Sequence, residues 1–299
     1  MKELVILSGK GGTGKTSITA AFASLAQNTV LCDADVDAAD LHLILEPDFK
    51  KSHDFNAGHE AIINPDKCSK CGLCIDLCRF DAIKDTFEID SIECEGCGVC
   101  FDLCPEQAID FVETICGQWY LSSTRFGPMV HARLGIAQEN SGKLVSLVRN
   151  EAKKIAHQEN LDLILTDGPP GIGCPVIASI GQATAILIVT EPSVSGIHDM
   201  KRLTQLSRHF NIPAMVCINK YDLNIDKTKN IEKFADSANI AVVGKIPFDS
   251  IFTKAMIQAE TIFEYNNNSQ VSIKVRQLWD NILSQDEFKT PVANILQHL

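Results

Sequence analysis

Two sets of residues in this chain have the types and spacings that chemistry requires. The first is Gly9-Lys10-Gly11-Gly12-Thr13-Gly14-Lys15-Thr16-Ser17, directly after the apolar run Leu4–Leu7. Glycines at that density let successive backbone N–H groups turn inward as an anion-binding nest. A helix opening at Gly14 would aim its positive end at the same point. Lys15 would bring a point charge to the outer phosphates of a nucleotide, and the Thr16 hydroxyl would ligate Mg²⁺. The second set is Cys68-x2-Cys71-x2-Cys74-x3-Cys78, repeated 26 residues later as Cys94-x2-Cys97-x2-Cys100-x3-Cys104-Pro105.

The repeat extends past the cysteines. Cys-Gly-Leu-Cys-Ile-Asp-Leu-Cys matches Cys-Gly-Val-Cys-Phe-Asp-Leu-Cys, and Asp81-Ala82-Ile83 matches Gln107-Ala108-Ile109. This is the bacterial ferredoxin signature, in which the fourth cysteine of each run ligates the other cluster. Cys68, Cys71, Cys74 and Cys104 would hold one [4Fe–4S] cluster, and Cys94, Cys97, Cys100 and Cys78 the second. Zinc ribbons also use C-x2-C pairs, but a third cysteine and the x3 spacing, present twice, favour iron–sulfur ligation. Arg79 stands where proline usually follows the fourth cysteine, a change expected to affect the local turn and charge.

Acidic residues supply the third ingredient. Cys32-Asp33-Ala34-Asp35-Val36-Asp37 places three acids beyond the end of a short apolar segment, where carboxylates can hold the waters of Mg²⁺ or orient an attacking water. A solvated acidic loop is the plainer alternative. Leu161–Thr166 is an apolar run closing on Asp167, followed by Gly168-Pro169-Pro170-Gly171. Asp167 would reach Mg²⁺ through water, and the Gly171 N–H could approach a γ-phosphate.

The elements that must position these groups alternate strand and helix. Leu4–Leu7, Thr29–Cys32, Leu161–Thr166, Ala185–Val189, Ala214–Ile218 and Ala241–Ile246 read as buried strands, with Gln118–Ser123 and Met129–Leu134 as further candidates. Helices are expected from Ile18 to Leu25, from Ser141 to about His157, after Ser193, near Thr228 and Ser250, and around Ile273–Leu283. Such alternation predicts an α/β fold with a mostly parallel sheet flanked by helices, and ligands gather at the C-terminal ends of its strands. Polar stretches at Lys50–His59 and Glu113–Gly117 lead into and out of the cysteine module. A split nucleotide domain (1–61 and 113–299) with an inserted ferredoxin domain (62–112) follows, since a two-fold repeat with neighbouring termini fits a surface loop.

Composition excludes several classes. The apolar content of 45% and charged content of 22% suit a soluble globule, and the net charge of −11 argues against nucleic-acid binding. No apolar run approaches the ~20 residues of a membrane span. The N-terminus runs straight into a strand, so no signal peptide is expected. Eight of the twelve cysteines sit in the two clusters, which reads as a reducing cytoplasm and not as a disulfide framework. Cys32 and Cys217 lie in apolar strands as small core residues, and the eight histidines form no ligand-spaced set.

Lys-Gly-Gly-Thr-Gly-Lys-Thr, the acidic loop and Asp-Gly-Pro-Pro-Gly together resemble the MinD/ParA/Mrp and nitrogenase-iron-protein superfamily. These are P-loop NTPases of the SIMIBI type with a deviant Walker A motif. With the doubled cysteine run, nearly the whole chain resembles superfamily members carrying an inserted 2[4Fe–4S] ferredoxin domain, sometimes labelled cobyrinic acid a,c-diamide synthase-like. The resemblance implies that Lys10 reaches across a dimer to the partner's nucleotide, as a trans-acting cation on developing phosphoryl charge. It makes Asp33, Asp35 and Asp37 the switch I candidates, with their roles not separated. Asn219 would read the base, and Pro247 and Asp249 of Ile246-Pro247-Phe248-Asp249 would flank it, although a simple strand-to-helix turn accounts equally for the last two.

Asn219-Lys220-Tyr221-Asp222 also fits N-K-x-D, the guanine reader of GTPases, and the phosphate loop favours ATP. Cys174 follows Asp167 at the spacing of a cysteine that bridges nitrogenase iron protein dimers, but Cys116 is far from the matching place of its companion. The implied function is ATP hydrolysis with Mg²⁺, slow and partner-stimulated. It would be coupled in a homodimer, or in a heterodimer with a related ATPase, to electron transfer through two [4Fe–4S] clusters to a redox or iron–sulfur partner. An Mrp-like cluster carrier or a MinD-like positioning ATPase is the alternative. Lys289 is the only lysine or arginine in the last twenty residues, which lacks the electrostatic half of a membrane-surface helix.

Overall fold

Apolar runs without polar alternation become strands buried on both faces. The computed structural model of the chain, which describes residues 1–135 and 140–289, has them in one sheet. In chain order the strands are β1 (Lys2–Ser8), β2 (Thr29–Asp33), β3 (Asp48–Ile63), β4 (Ile109–Thr124), β5 (Gly127–Leu134), β6 (Leu163–Pro170), β7 (Ala185–Thr190), β8 (Ala214–Asn219) and β9 (Ala241–Ile246). Their order across the sheet is β3-β4-β5-β2-β6-β1-β7-β8-β9, and every pairing from β5 to β9 is parallel. This is an α/β fold with a mostly parallel sheet.

Alternation within the strands divides the core between two faces. Leu4 and Ile6 of β1, Leu187 and Val189 of β7, and Met215 and Cys217 of β8 face one side. There they meet the helices Lys15–Leu25 and Gln270–Leu283, whose Phe22 and Trp279 rings lie 4.9 Å apart. Val5, Leu7, Ile186, Ile188, Val216 and Ile218 face the other, against the helices Cys174–Ile180, Val194–His209 and Ile225–Ser237. Cys32 and Cys217 are fully buried in this core, and burial pushes the Cys217 thiol up to about 12.

A buried ion pair braces the first strand. The Arg149 guanidinium, on the helix Ser141–Gln158, donates to Glu3 at 2.9 and 2.7 Å and to the carbonyls of Ala178 and Gly181. Thr166 donates to the same carboxylate at 3.1 Å.

The chain forms two units. One comprises Met1–Ser52, Trp119–Arg133 and everything from Ser141 onward; the other comprises His53–Gln118 and Leu134–Asn140. Strands β3 and β4 run through both. The polar segment Lys50–His59, expected to be a lead-in, is part of β3, and Glu113–Gly117 is part of β4. Only Phe55 and Ala61 of β3 are buried, so backbone pairing and not apolar alternation makes it a strand.

The second unit repeats itself in backbone as in sequence. Gly72 and Gly98 cap the short helices Leu73–Leu77 and Val99–Asp102 at φ 83° and 78°. Lys70 and Gly96 share φ 57°, and Asp81 and Gln107 sit at 52° and 50°. Ala82 and Ile83 are buried just as Ala108 and Ile109 are. Among the described residues no helix is long and apolar enough to cross a membrane, and the tail 290–299 lies outside them.

Candidate nucleotide and cysteine sites

The C-terminal ends of the parallel strands carry the first site. β1 runs into the glycine-rich loop, where Gly14 at φ 91° precedes the helix Lys15–Leu25, a conformation that favours glycine. Asn219, at the end of β8, lies so close that a Cβ on Gly14 would stand 2.4 Å from its Nδ2. A Cβ added at Gly11 or Gly12 would meet nothing within 4 Å, so this part of the loop faces open space. The loop lines a cleft of about 390 Å³ together with Asp35, Asp40, Pro170, Lys220, Pro247 and Asp249, among others, within the usual size range of ligand sites. Thr13 Oγ lies in its wall, buried and without a hydrogen-bond partner. A buried hydroxyl in a cleft that Lys10, Lys15 and Lys220 also line suits a phosphate chain.

Lys15 is 5% exposed, and its Nζ lies 2.9 Å from Asp167 and 3.3 Å from Asp35. Burial pulls its ammonium down, but the attraction of Asp167, Asp35 and Asp33 outweighs that and leaves its pKa raised. Asp167, wholly buried at the point where β6 passes β1 and β2, accepts from Thr16 at 2.7 Å and from Thr19 at 2.8 Å. Asp33 pairs with Asp167 in the β2–β6 register and accepts the backbone N–H groups of Asp35 and Leu41. Burial, followed by the charge of Asp167, holds the Asp33 carboxyl well above its usual range. Burial likewise raises Asp35 to about 6, against the pull of Lys15. Asp37, by contrast, is exposed.

The structure therefore brings Lys15, Thr16, Asp33, Asp35 and Asp167 to one point. Mg²⁺ would suit it, since the donors are hard oxygens from a hydroxyl and carboxylates. Three expected residues are differently engaged. The Gly171 N–H is donated to Ser8 O at 2.9 Å. Asn219 braces the loop, donating to Thr13 O at 2.7 Å and accepting the Lys220 N–H. Lys10 pairs with Glu191, just beyond β7, at 2.6 Å. Gly9 packs against Asp199 of the helix Val194–His209, where a Cβ would stand 2.0 Å from that side chain. Ser17, next to Thr16, lines the cleft.

Thr19 and Glu191 join the site without having been singled out in the sequence, and Lys220, noted there only within N-K-x-D, joins it too. Lys220 Nζ donates to Gly12 O at 2.7 Å and lies 3.4 Å from Glu191. Only the recurrence of a hydroxyl three residues after Thr16 hinted at Thr19. Asp222 accepts the Phe248 N–H at 2.7 Å and is not among the residues lining the cleft.

The second unit holds two cysteine-lined cavities. Cys68, Cys71, Cys74 and Cys104 line one, with Leu77, Phe87, Ile109 and the Cys100 edge around them. Cys78, Cys94, Cys97 and Cys100 line the other, with Phe80, Ile83, Ile89 and Phe111. The Lys70 N–H points to Cys68 Sγ at 3.4 Å, and the Ala108 N–H to Cys104 Sγ at 3.3 Å. Among the described residues no three Cys, His, Asp or Glu side chains converge on a point that would grip a single metal ion. An iron–sulfur cubane asks for something else: four thiolates spread around it in an apolar pocket with N–H donors to sulfur. The donor set and the apolar walls fit such a group. Cys174 is exposed at the start of its helix and belongs to neither cavity.

A parallel sheet whose first strand feeds a glycine-rich phosphate loop, with acids from two neighbouring strands converging on its lysine, defines a P-loop nucleotide-binding protein. The chain belongs to the CobQ/CobB/MinD/ParA nucleotide-binding domain family, whose match spans residues 4–262. It is 34% identical to an uncharacterized protein of Methanocaldococcus jannaschii, over 94% of this chain and 96% of that one. An iron–sulfur cluster carrier protein of Aquifex aeolicus is 28% identical over 38% of this chain and 34% of its own length. The septum site-determining protein MinD of Pyrococcus horikoshii, solved with Mg-ADP, superposes with a TM-score of 0.59 at 18% identity, covering 97% of this chain and 99% of that one. That likeness is one of fold.

Proposed function

We propose that this ATPase-family protein is an iron–sulfur ATPase, in which the nucleotide cycle of a dimer is coupled to electron transfer through two [4Fe–4S] clusters to a partner protein. The observation that carries the proposal is the placing of eight cysteines around two cavities, Cys104 with Cys68, Cys71 and Cys74 at one, Cys78 with Cys94 and Cys97 at the other, and Cys100 lining both, on the same chain as a phosphate loop. Cys68, Cys71, Cys74 and Cys104 would hold one cluster, and Cys94, Cys97, Cys100 and Cys78 the other, as an inserted ferredoxin domain would. The clusters, when bound, supply one-electron redox chemistry.

In the nucleotide site the loop amides from Gly9 to Ser17 would hold the phosphates, with Lys15 turning from Asp167 toward them. Thr16 would ligate Mg²⁺, and Asp167 would reach it through water. Asp33 and Asp35 would respond to the γ-phosphate through the loop that carries Asp37, and a candidate water-orienting base lies among these three. Lys10 would act on the partner protomer's nucleotide. ATP is favoured over GTP because Asp222, the residue that would complete a guanine reader, is occupied with the Phe248 N–H. Asn219, Pro247 and Asp249 would form the base side. The Gly171 N–H would have to leave Ser8 O to meet a phosphate.

Anaerobic purification followed by iron and sulfide analysis tests the clusters directly, and a colourless preparation holding zinc would end the proposal. Reversible reduction with clusters retained against a chelator supports electron transfer. Passage of iron and sulfide to an apo-acceptor supports instead the carrier reading, which the partial likeness to the Aquifex aeolicus carrier favours. Lys15→Ala should abolish nucleotide binding, whereas Lys10→Ala should spare binding and slow turnover. Equal loss in both variants would remove the trans-acting role of Lys10.

A further inference from the structure

Lys10 does not project freely from its loop. Its Nζ lies 2.6 Å from Glu191 Oε1, while Lys220 Nζ lies 3.4 Å from the other oxygen of the same carboxylate. Lys220 is anchored in turn to the phosphate loop through Gly12 O at 2.7 Å. Its own backbone, in the left-handed region at φ 55°, is tied to Asn219. Glu191 is set just as firmly. It follows β7 directly, and its carbonyl accepts the Ser193 N–H at 2.8 Å, at the residue that caps the helix Val194–His209. One carboxylate thus bridges two lysines. Lys220 also donates to a loop carbonyl, and Lys10 is the more exposed of the two.

We propose that Glu191 is a positioning residue that holds Lys10 on its own protomer until a second protomer presents a nucleotide, and that Lys220 takes over the carboxylate when Lys10 leaves. The proposal rests on the trans-acting role of Lys10 given above. Its physical content is a competition. A triphosphate brought up by the partner offers Lys10 several anionic oxygens, against one carboxylate oxygen at home. Departure would normally strand a half-buried carboxylate, but Lys220 remains beside it, so the exchange costs little. The two lysines also hold the Glu191 carboxyl below its usual range despite the opposing effect of burial, so it is an anion throughout the neutral range. Lys10 is more than a third exposed, so the pair is weak enough to break and contributes a brake, not a lock.

The test is self-association of the full-length protein with Mg·ATP and with a slowly hydrolysed ATP analogue, followed by sedimentation, alongside turnover against protein concentration. Glu191→Gln keeps the shape and removes the charge. It should lower the concentration for half-association by about two- to fivefold, the size expected of a pair this open to solvent. It should also raise turnover at low protein concentration. In a Lys10→Ala background the same substitution should change nothing. An unchanged association midpoint in Glu191→Gln, with Lys10→Ala still slowing turnover, would overturn the proposal and leave the role of Lys10 intact. A shift of equal size in both backgrounds would overturn it by making Glu191 structural. If Lys10→Ala leaves turnover and association untouched, the underlying role of Lys10 falls first.

Discussion

The pairing of cysteines across the repeat can be tested by choosing which two are removed together. Cys104 lines the same cavity as Cys68, Cys71 and Cys74, although it lies thirty or more residues away in sequence; Cys78, only four residues after Cys74, lines the other. Cys68→Ser with Cys104→Ser therefore damages one cavity and should cost about four of eight irons, the content of a single cubane. Cys74→Ser with Cys78→Ser damages both and should remove nearly all iron, although these two residues are neighbours. Local ligation within each run predicts the reverse. Iron and acid-labile sulfide would be measured on anaerobically reconstituted protein, with low-temperature EPR of the reduced samples to count interacting centres. Each double variant should still bind nucleotide, which serves as the control for folding of the first unit. Loss of all iron in the Cys68/Cys104 variant, with half retained in the Cys74/Cys78 variant, would refute the crossed arrangement.

Three further outcomes follow from the geometry. Arg149→Met leaves the buried Glu3 with Thr166 at 3.1 Å and the Lys153 ammonium at 3.9 Å and should cost about 3 kcal/mol, the low end for breaking a buried pair, read from denaturant midpoints; a change below about 1 kcal/mol would mean the pair is not what braces β1. The Asp35 carboxyl, at about 6 when folded against an ordinary 3.8, binds its proton more tightly in the native state. In nucleotide-free protein, the contribution of Asp35 to stability should be fully present below pH 3.8, fall as pH rises toward 6 and stay lower above, by at most about 3 kcal/mol before solvent screening is allowed for. Asp35→Asn should flatten that descent, and an unchanged slope would disprove the assignment. Gly14→Ala places a Cβ 2.4 Å from Asn219 at φ 91°, and about 1–2 kcal/mol of backbone strain alone predicts roughly tenfold weaker nucleotide binding by titration calorimetry.

Much of this architecture was legible because its strands are buried on both faces. Leu4–Leu7, Ala185–Val189 and Ala214–Ile218 are unbroken apolar runs, and each became a strand within a residue or two of its expected ends. β3 was not legible, because fourteen of its sixteen residues are not buried and its stability comes from main-chain pairing. β6 runs past Asp167 to Pro170, where sequence suggested a turn; Pro170 is set against Ser8 of β1, and the missing proline donor is tolerated at that strand end. The phosphate loop could be read because its chemistry lies in one continuous segment. The bridge from Lys10 through Glu191 to Lys220 could not, because its two ion pairs span separate strand ends, and nothing in T-E-P or N-K marks it.

Chain order also explains why a cysteine module could be inserted here at little cost to the nucleotide site. From the acidic loop the chain passes through the short helix Leu41–Leu45 and enters β3 at Asp48, so the segment leading to the second unit begins close after Asp37. It returns to the first unit at Trp119 on β4 and turns at Arg125. There the guanidinium donates to Leu45 O at 2.6 Å and Ile44 O at 2.9 Å, satisfying the last carbonyls of that same helix, and pairs with Glu264. The departing and returning segments are thus bound to each other inside the first unit by a single side chain. An insertion held at its base in this way need not disturb Asp33 and Asp35.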